Sequence, residues 1–307
     1  MRLASFLVAA IALVACAGHA PAQEGQAVRA SYPEGPLWVG SRLYYAEMGA
    51  DRISTWENGQ SGVFFRQQGC GPTAIAPYGE GFLVLCHIGH RVVAVDARGQ
   101  ELRRWDRDDT GELLMDPNDG YADGRGGVYF SDPGVFSRET RPHGKVMYLT
   151  AEGRLRQVAR PLWYPNGIFV DRAHNKLYVD EHMSAHVLVY DIQANGDIDG
   201  PEVFADLSDV RRPRRYDTPY AETGPDGLEM AANGDLYVAV YGEGRILRFS
   251  PEGRLLGMLD APARYLTNIA FNAEGGAATT GSFDNDTPPF PGEVRIYSAS
   301  DLTDAVR

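Results

Sequence analysis

Apolar positions in this chain cluster in short runs whose two faces are both hydrophobic. Leu43-Tyr44-Tyr45-Ala46, Phe82-Leu83-Val84-Leu85-Cys86, Val128-Tyr129-Phe130, Leu177-Tyr178-Val179 and Leu236–Tyr241 share this form. Runs that short, rich in β-branched and aromatic residues and bounded by Gly, Asn and Asp, read as strands. A second set follows at a constant offset: 52–56, 91–95, 145–149, 186–190, 245–249 and 294–297. Glycine-bearing turns such as 96–100, 150–154, 193–197 and 250–254 close many of the hairpins. Past the N-terminal leader, no long stretch has helical periodicity.

The pattern repeats. Six modules can be counted, each opened by a turn at Pro36, Pro72, Pro117, Pro165 or Pro225, or, without proline, at Thr267-Asn268. Their spacing lies near the roughly 40–50 residues of a four-stranded propeller blade, with one longer insertion around 205–222. Apolar residues on both faces, as in Val92 and Ala94 against Val93 and Val95, suit blades sandwiched by their neighbours. The prediction is an all-β, six-bladed β-propeller forming one domain over residues 30–305. A β-sandwich is the alternative that six similar units disfavour.

Composition adds export. The apolar core Phe6–Ala15 behind Arg2 is too short to span a bilayer and reads as a signal peptide within residues 1–22. Leu13-Val14-Ala15-Cys16 has the form of a lipobox, with cleavage before Cys16; cleavage after Ala20 or Ala22 is the competing reading. The expected location is periplasmic, or lipid-anchored to the cell envelope. Cys70 and Cys86 remain in the mature chain, either as a disulfide closing a short loop or as two buried thiols. A net charge of −12 argues against nucleic-acid binding. The short basic run Arg211–Arg215, interrupted by Pro213, reads as a solvated loop.

Candidate chemistry sits in the turns. Glu34, Asn118, Asn166 and Asp226 occupy one local register in modules one, three, four and five. Radial strands would bring these four oxygen-bearing side chains to the rim of a central channel. Two carboxylates and two amides make a doubly negative cage of hard oxygens, suited to Ca²⁺ or another divalent cation. No histidine sits in these turns, which disfavours zinc. Asp191–Glu202 imitates a calcium-binding loop, but the strand entering it reads as one arm of a hairpin. No Gly-x-Ser-x-Gly elbow, His-Glu-x-x-His motif or phosphate loop is present.

The order Glu34-Gly35-Pro36-Leu37-Trp38, Pro117-Asn118-Asp119 before 126–134, Pro165-Asn166-Gly167-Ile168 before 176–181, and Pro225-Asp226-Gly227-Leu228 before 235–253 resembles the senescence-marker-protein, gluconolactonase and luciferin-regenerating-enzyme family. The resemblance runs from about residue 30 to 300. It implies a six-bladed propeller with Ca²⁺ on the channel axis and hydrolysis of a lactone or related ester. It also implies that Glu34, Asn166 and Asp226 ligate the metal, while Asn118 completes the shell or holds substrate. Asp226 is the candidate base that activates water, with Asp119 as runner-up. Animal gluconolactonases carry Arg where this chain has Asp116, a substitution that disfavours anionic substrates. Tyr121, Trp163, Tyr164, Tyr241 and Phe283 are candidates to wall an apolar pocket, and His87 and His182 to lean over it. The competing function is a non-catalytic propeller that binds a ligand or protein, its cation serving only as a staple.

Overall fold

The computed structural model describes residues 25–208, 216 and 222–305. Among them are six four-stranded antiparallel sheets. Blade one comprises Pro33–Val39, Arg42–Glu47, Arg52–Glu57 and Gln60–Arg66; blade two Pro72–Tyr78, Gly81–Cys86, Arg91–Val95 and Glu101–Trp105. Blade three comprises Gly120–Ala122, Val128–Asp132, Gly144–Leu149 and Leu155–Leu162; blade four Pro165–Asp171, Lys176–Glu181, His186–Ile192 and Ile198–Asp206. Blade five has Gly224–Met230, Leu236–Tyr241, Arg245–Phe249 and Leu255–Asp260. Blade six takes Tyr265–Phe271, Ala277–Ser282 and Pro291–Tyr297 from the C-terminal part of the chain and Gln26–Ser31 from its N-terminal part. A short helix, Ala299–Ala305, follows.

The six-bladed architecture is as the repeat predicted. Its closure is not visible in the repeat: Gln26–Ser31 pairs antiparallel with Pro291–Tyr297, in register from Gln26 opposite Ile296 to Ser31 opposite Pro291. That pairing covers an edge strand and locks the ring.

No single core exists. Six hydrophobic clusters among the described residues each span one pair of neighbouring blades. Alternation along one strand divides it between two cores: Val92 and Ala94 pack toward blade three, Val93 and Val95 toward blade one. That division is why the strands read as hydrophobic on both faces.

Cys70 and Cys86 form a disulfide across 16 residues, joining the turn before blade two's inner strand to the end of its second strand. Asp191–Glu202 forms the hairpin between the third and outer strands of blade four. The leader with Cys16 and the basic run Arg211–Arg215 lie outside the described residues.

Candidate active site

Each blade's inner strand starts at one face of the ring and descends along the channel. Glu34, Thr73, Asn118, Asn166, Asp226 and Thr267 stand at the same register near that start. Ladder pairing is shifted between Glu34 and Leu37, Pro72 and Ala74, Pro165 and Ile168, Pro225 and Leu228, and Leu266 and Asn268. A bulge re-aims the side chain it carries; here it turns the register residue into the channel.

Hydrogen bonds from the preceding blade hold these turns. Thr267 Oγ1 donates to Pro33 O (2.9 Å), Thr73 Oγ1 to Asn118 O (2.8 Å), Ser131 Oγ to Asn166 O (2.6 Å) and His182 Nδ1 to Pro225 O (3.0 Å). Second-strand carboxylates tie down the segments leading in: Glu47 accepts from Ser31 N (3.0 Å), Asp132 from Asp116 N (2.7 Å) and Glu181 from Trp163 N (2.7 Å). In blades one, four and five glycine is required one step below the register, where inner strands approach closely. A Cβ on Gly167 would lie 2.2 Å from Asp226 O, and one on Gly227 1.9 Å from Asn268 Cγ.

Glu34, Asn118, Asn166 and Asp226, each with 5–7% of its surface exposed, line one cavity of about 120 Å³. Burial holds Glu34 well above the usual carboxylate range, and the charges of Asp226 and Asp119 add to the shift. Asp226 is raised by burial and then by Asp119, while the Asn166 amide hydrogen-bonds to it. Asn166 Oδ1 is buried with no hydrogen-bond partner among the described residues. Two repelling carboxylates and an unsatisfied amide oxygen form an electron-rich cup with no Lys or Arg in its lining. Among the described residues no three His, Cys, Asp or Glu side chains form a metal cluster; only two of these four are of those types.

The cavity walls are aromatic. Tyr32, Phe136, Tyr164, His87, His182 and Tyr241 line it. His182 is fixed by its bond to Pro225 O and by ring contacts with Phe136 (5.1 Å), Tyr164 (5.9 Å) and Tyr241 (6.0 Å). The Tyr32 and Tyr241 hydroxyls are 2.8 Å apart, and Asn285 Nδ2 donates to Tyr241 (2.9 Å). Burial lowers the His87 pKa.

Other candidates stand elsewhere. Asp119 is one layer down the channel. Its Oδ1 accepts from Gly120 N (2.9 Å) and its Oδ2 from Asn268 Nδ2 (3.2 Å) and Ile168 N (3.3 Å), and burial raises it to about 6. Tyr121 lines a separate cavity at the opposite end of the channel. Three residues along a strand amount to about 10 Å, which carries it away from Asn118. Asp116 does not line the cup; it faces His90 Nδ1 at 3.0 Å beside the rim. Trp163 and Phe283 are not in the lining either, and Phe283 is 46% exposed. Tyr32, Met48, Thr73 and Phe136 were not singled out from sequence. Thr73 had a signal, its register after Pro72; Phe136, in the loop after blade three's second strand, had none.

A profile of the "SMP-30/Gluconolactonase/LRE-like region" matches residues 32–280. A gluconolactonase of Zymomonas mobilis is 26% identical over 273 residues, 80% of this chain and 74% of that protein. Lactonase drp35 of Staphylococcus epidermidis is 27% identical over 202 residues, 63% of this chain and 57% of that protein. A gluconolactonase structure from Xanthomonas campestris superposes with a TM-score of 0.69 at 22% identity, covering 87% of this chain and 86% of that one. At that identity the superposition establishes a shared fold.

Proposed function

Since this chain belongs to the SMP-30/gluconolactonase/LRE-like family, we propose that its channel cup hydrolyses a lactone or related ester with the help of a divalent cation. The observation that carries the reading is the convergence of Glu34, Asn118, Asn166 and Asp226 from four blades on one buried cavity. The donor set fits a hard cation: paired carboxylates ask for positive charge, and the unpartnered Asn166 Oδ1 asks for a donor or an ion. Glu34, Asn166 and Asp226 would hold Ca²⁺, with Asn118 completing the shell or positioning substrate. A bound Ca²⁺ supplies Lewis-acid polarisation of the ester carbonyl.

The chain's own residues do the rest. Asp226 takes a proton from the attacking water, whose oxygen bonds to the carbonyl carbon. The ring C–O bond breaks, and the leaving oxygen takes up the proton held by Asp226 and becomes the hydroxyl of the ring-opened hydroxy acid. The aromatic wall of Tyr32, Phe136, Tyr164 and Tyr241 excludes water and favours an uncharged acyl portion. Asp116 at the rim adds negative charge where an anionic substrate would approach. The Cys70–Cys86 disulfide supports action outside the cytoplasm, in agreement with the N-terminal leader.

The test is hydrolysis of γ-butyrolactone, dihydrocoumarin and gluconolactone, with EDTA and with added Ca²⁺. Hydrolysis abolished by EDTA and restored by Ca²⁺ is expected. Asp226→Asn should lose about 10²- to 10⁴-fold in kcat with an unchanged circular dichroism spectrum. Activity indifferent to EDTA rules out the metal role, and full activity of Asp226→Asn removes that side chain from the proton transfer.

A further inference from the structure

The opposite end of the channel holds a second, larger cavity of about 310 Å³. Three residues after the channel register, the six inner strands carry Leu37, Ala76, Tyr121, Phe169, Glu229 and Ala270. Five blades fill this position with an apolar or aromatic side chain, as packing in the throat of a propeller demands. Blade five alone puts a carboxylate there. Its Oε2 accepts from Phe271 N (3.1 Å), its Oε1 lies 3.4 Å from the Tyr121 hydroxyl, and among the described residues no cation pairs with it. Arg172, the cation of this cavity's lining, donates to Ala122 O (2.8 and 3.2 Å), stands over the Tyr121 ring at 5.7 Å from its centroid and is exposed to solvent.

A half-buried carboxylate without a counter-ion costs stability unless something compensates it. The surroundings of Glu229 suit one kind of compensation. Trp38 and Phe271 offer aromatic surface and Leu37 an aliphatic one. Aromatic faces attract cations, and an apolar pocket with a few converging polar groups is the usual form of a small-ligand site. The layer of Asp119 and Asn268, joined by their 3.2 Å hydrogen bond, separates this cavity from the hydrolytic cup.

We propose that this far cavity binds a compact organic ammonium ion, with Glu229 as its counter-ion and the aromatic walls packed on its apolar part. The site is separate from lactone hydrolysis and does not depend on it.

The experiment titrates benzylammonium chloride, and benzyl alcohol as its uncharged counterpart, into the protein at pH 8.5 in saturating Ca²⁺, read by calorimetry and by thermal shift. Benzylammonium should bind and raise Tm, and benzyl alcohol should bind more weakly. Glu229→Gln should weaken benzylammonium binding about 10- to 100-fold while leaving lactone hydrolysis unchanged. Asp226→Asn should retain binding, which would place the ammonium away from the hydrolytic cup. Equal affinities of wild type and Glu229→Gln would overturn the proposal. So would loss of binding in Asp226→Asn, or equal binding of the ammonium and the alcohol. If Glu229→Gln fails to fold, the ammonium-against-alcohol comparison on wild type decides alone.

Discussion

At the scale of single residues, the channel separates carboxylates by depth. Glu34 and Asp226 repel each other at one end, Asp119 sits a layer below, and Glu229 stands at the other end. Each is pushed up by burial, and each therefore carries a pH dependence. For Glu229 the sign is plain. Burial raises its folded pKa from 4.5 to about 8. A raised carboxyl contributes stability that is fully present below the unfolded value and lost as pH rises through the folded one. Wild-type stability should therefore fall between pH 4.5 and 8 relative to Glu229→Gln, by an amount on the order of a few kcal/mol. Melting curves of both proteins at pH 5 and pH 8.5, without amine, check this; parallel shifts would show that Glu229 is already paired or solvated.

At the scale of elements, an inner strand both roofs a core and presents one side chain to the channel. A bulge after the register residue in five of the six blades reconciles those tasks, and in blades one, three, four and five a hydrogen bond from the neighbouring blade fixes the result. Blade two has its own fastener, the Cys70–Cys86 disulfide, which closes a loop spanning 16 residues. By chain-entropy arguments such a loop is worth about 3 kcal/mol. Replacing both cysteines with serine should lower Tm by roughly 5–10 °C, read by scanning calorimetry. Because Thr73, second in the next strand, ties down Asn118 O, affinity for the proposed cation should fall as well. An unchanged Tm would mean that the turn is held by Asp51, whose carboxylate accepts from Gly69 N and Gly71 N, without help from the bridge.

At the scale of the molecule, six interfaces replace one core, and stability depends on closing the ring. Gln26–Ser31 supplies the outer strand of blade six, with Val28 and Ala30 packed beside Leu43, Tyr45 and Val294. A chain beginning at Tyr32 leaves Pro291–Tyr297 as an open edge. That truncation should melt about 5–10 °C lower and associate at high concentration, measured by calorimetry and light scattering. Retention of the wild-type Tm and a monomeric profile would show that the other five interfaces suffice.

The repeat, the doubly apolar strands and the four turn residues at one register were written in the sequence, because strand alternation and turn chemistry are local. From them followed the blade count and the convergence of Glu34, Asn118, Asn166 and Asp226. Depth along the channel was not local. Tyr121 and Asp119 neighbour Asn118 in sequence, yet the rise of the strand carries Tyr121 to the opposite cavity and Asp119 into the layer between. Phe136 and Tyr32 reach the cup through loop paths that no periodicity encodes. The exchange of Gln26–Ser31 into the last blade joins positions some 270 residues apart. Only the closed ring, by bringing distant strands into register, decides which side chains share a cavity and which charges remain unpaired.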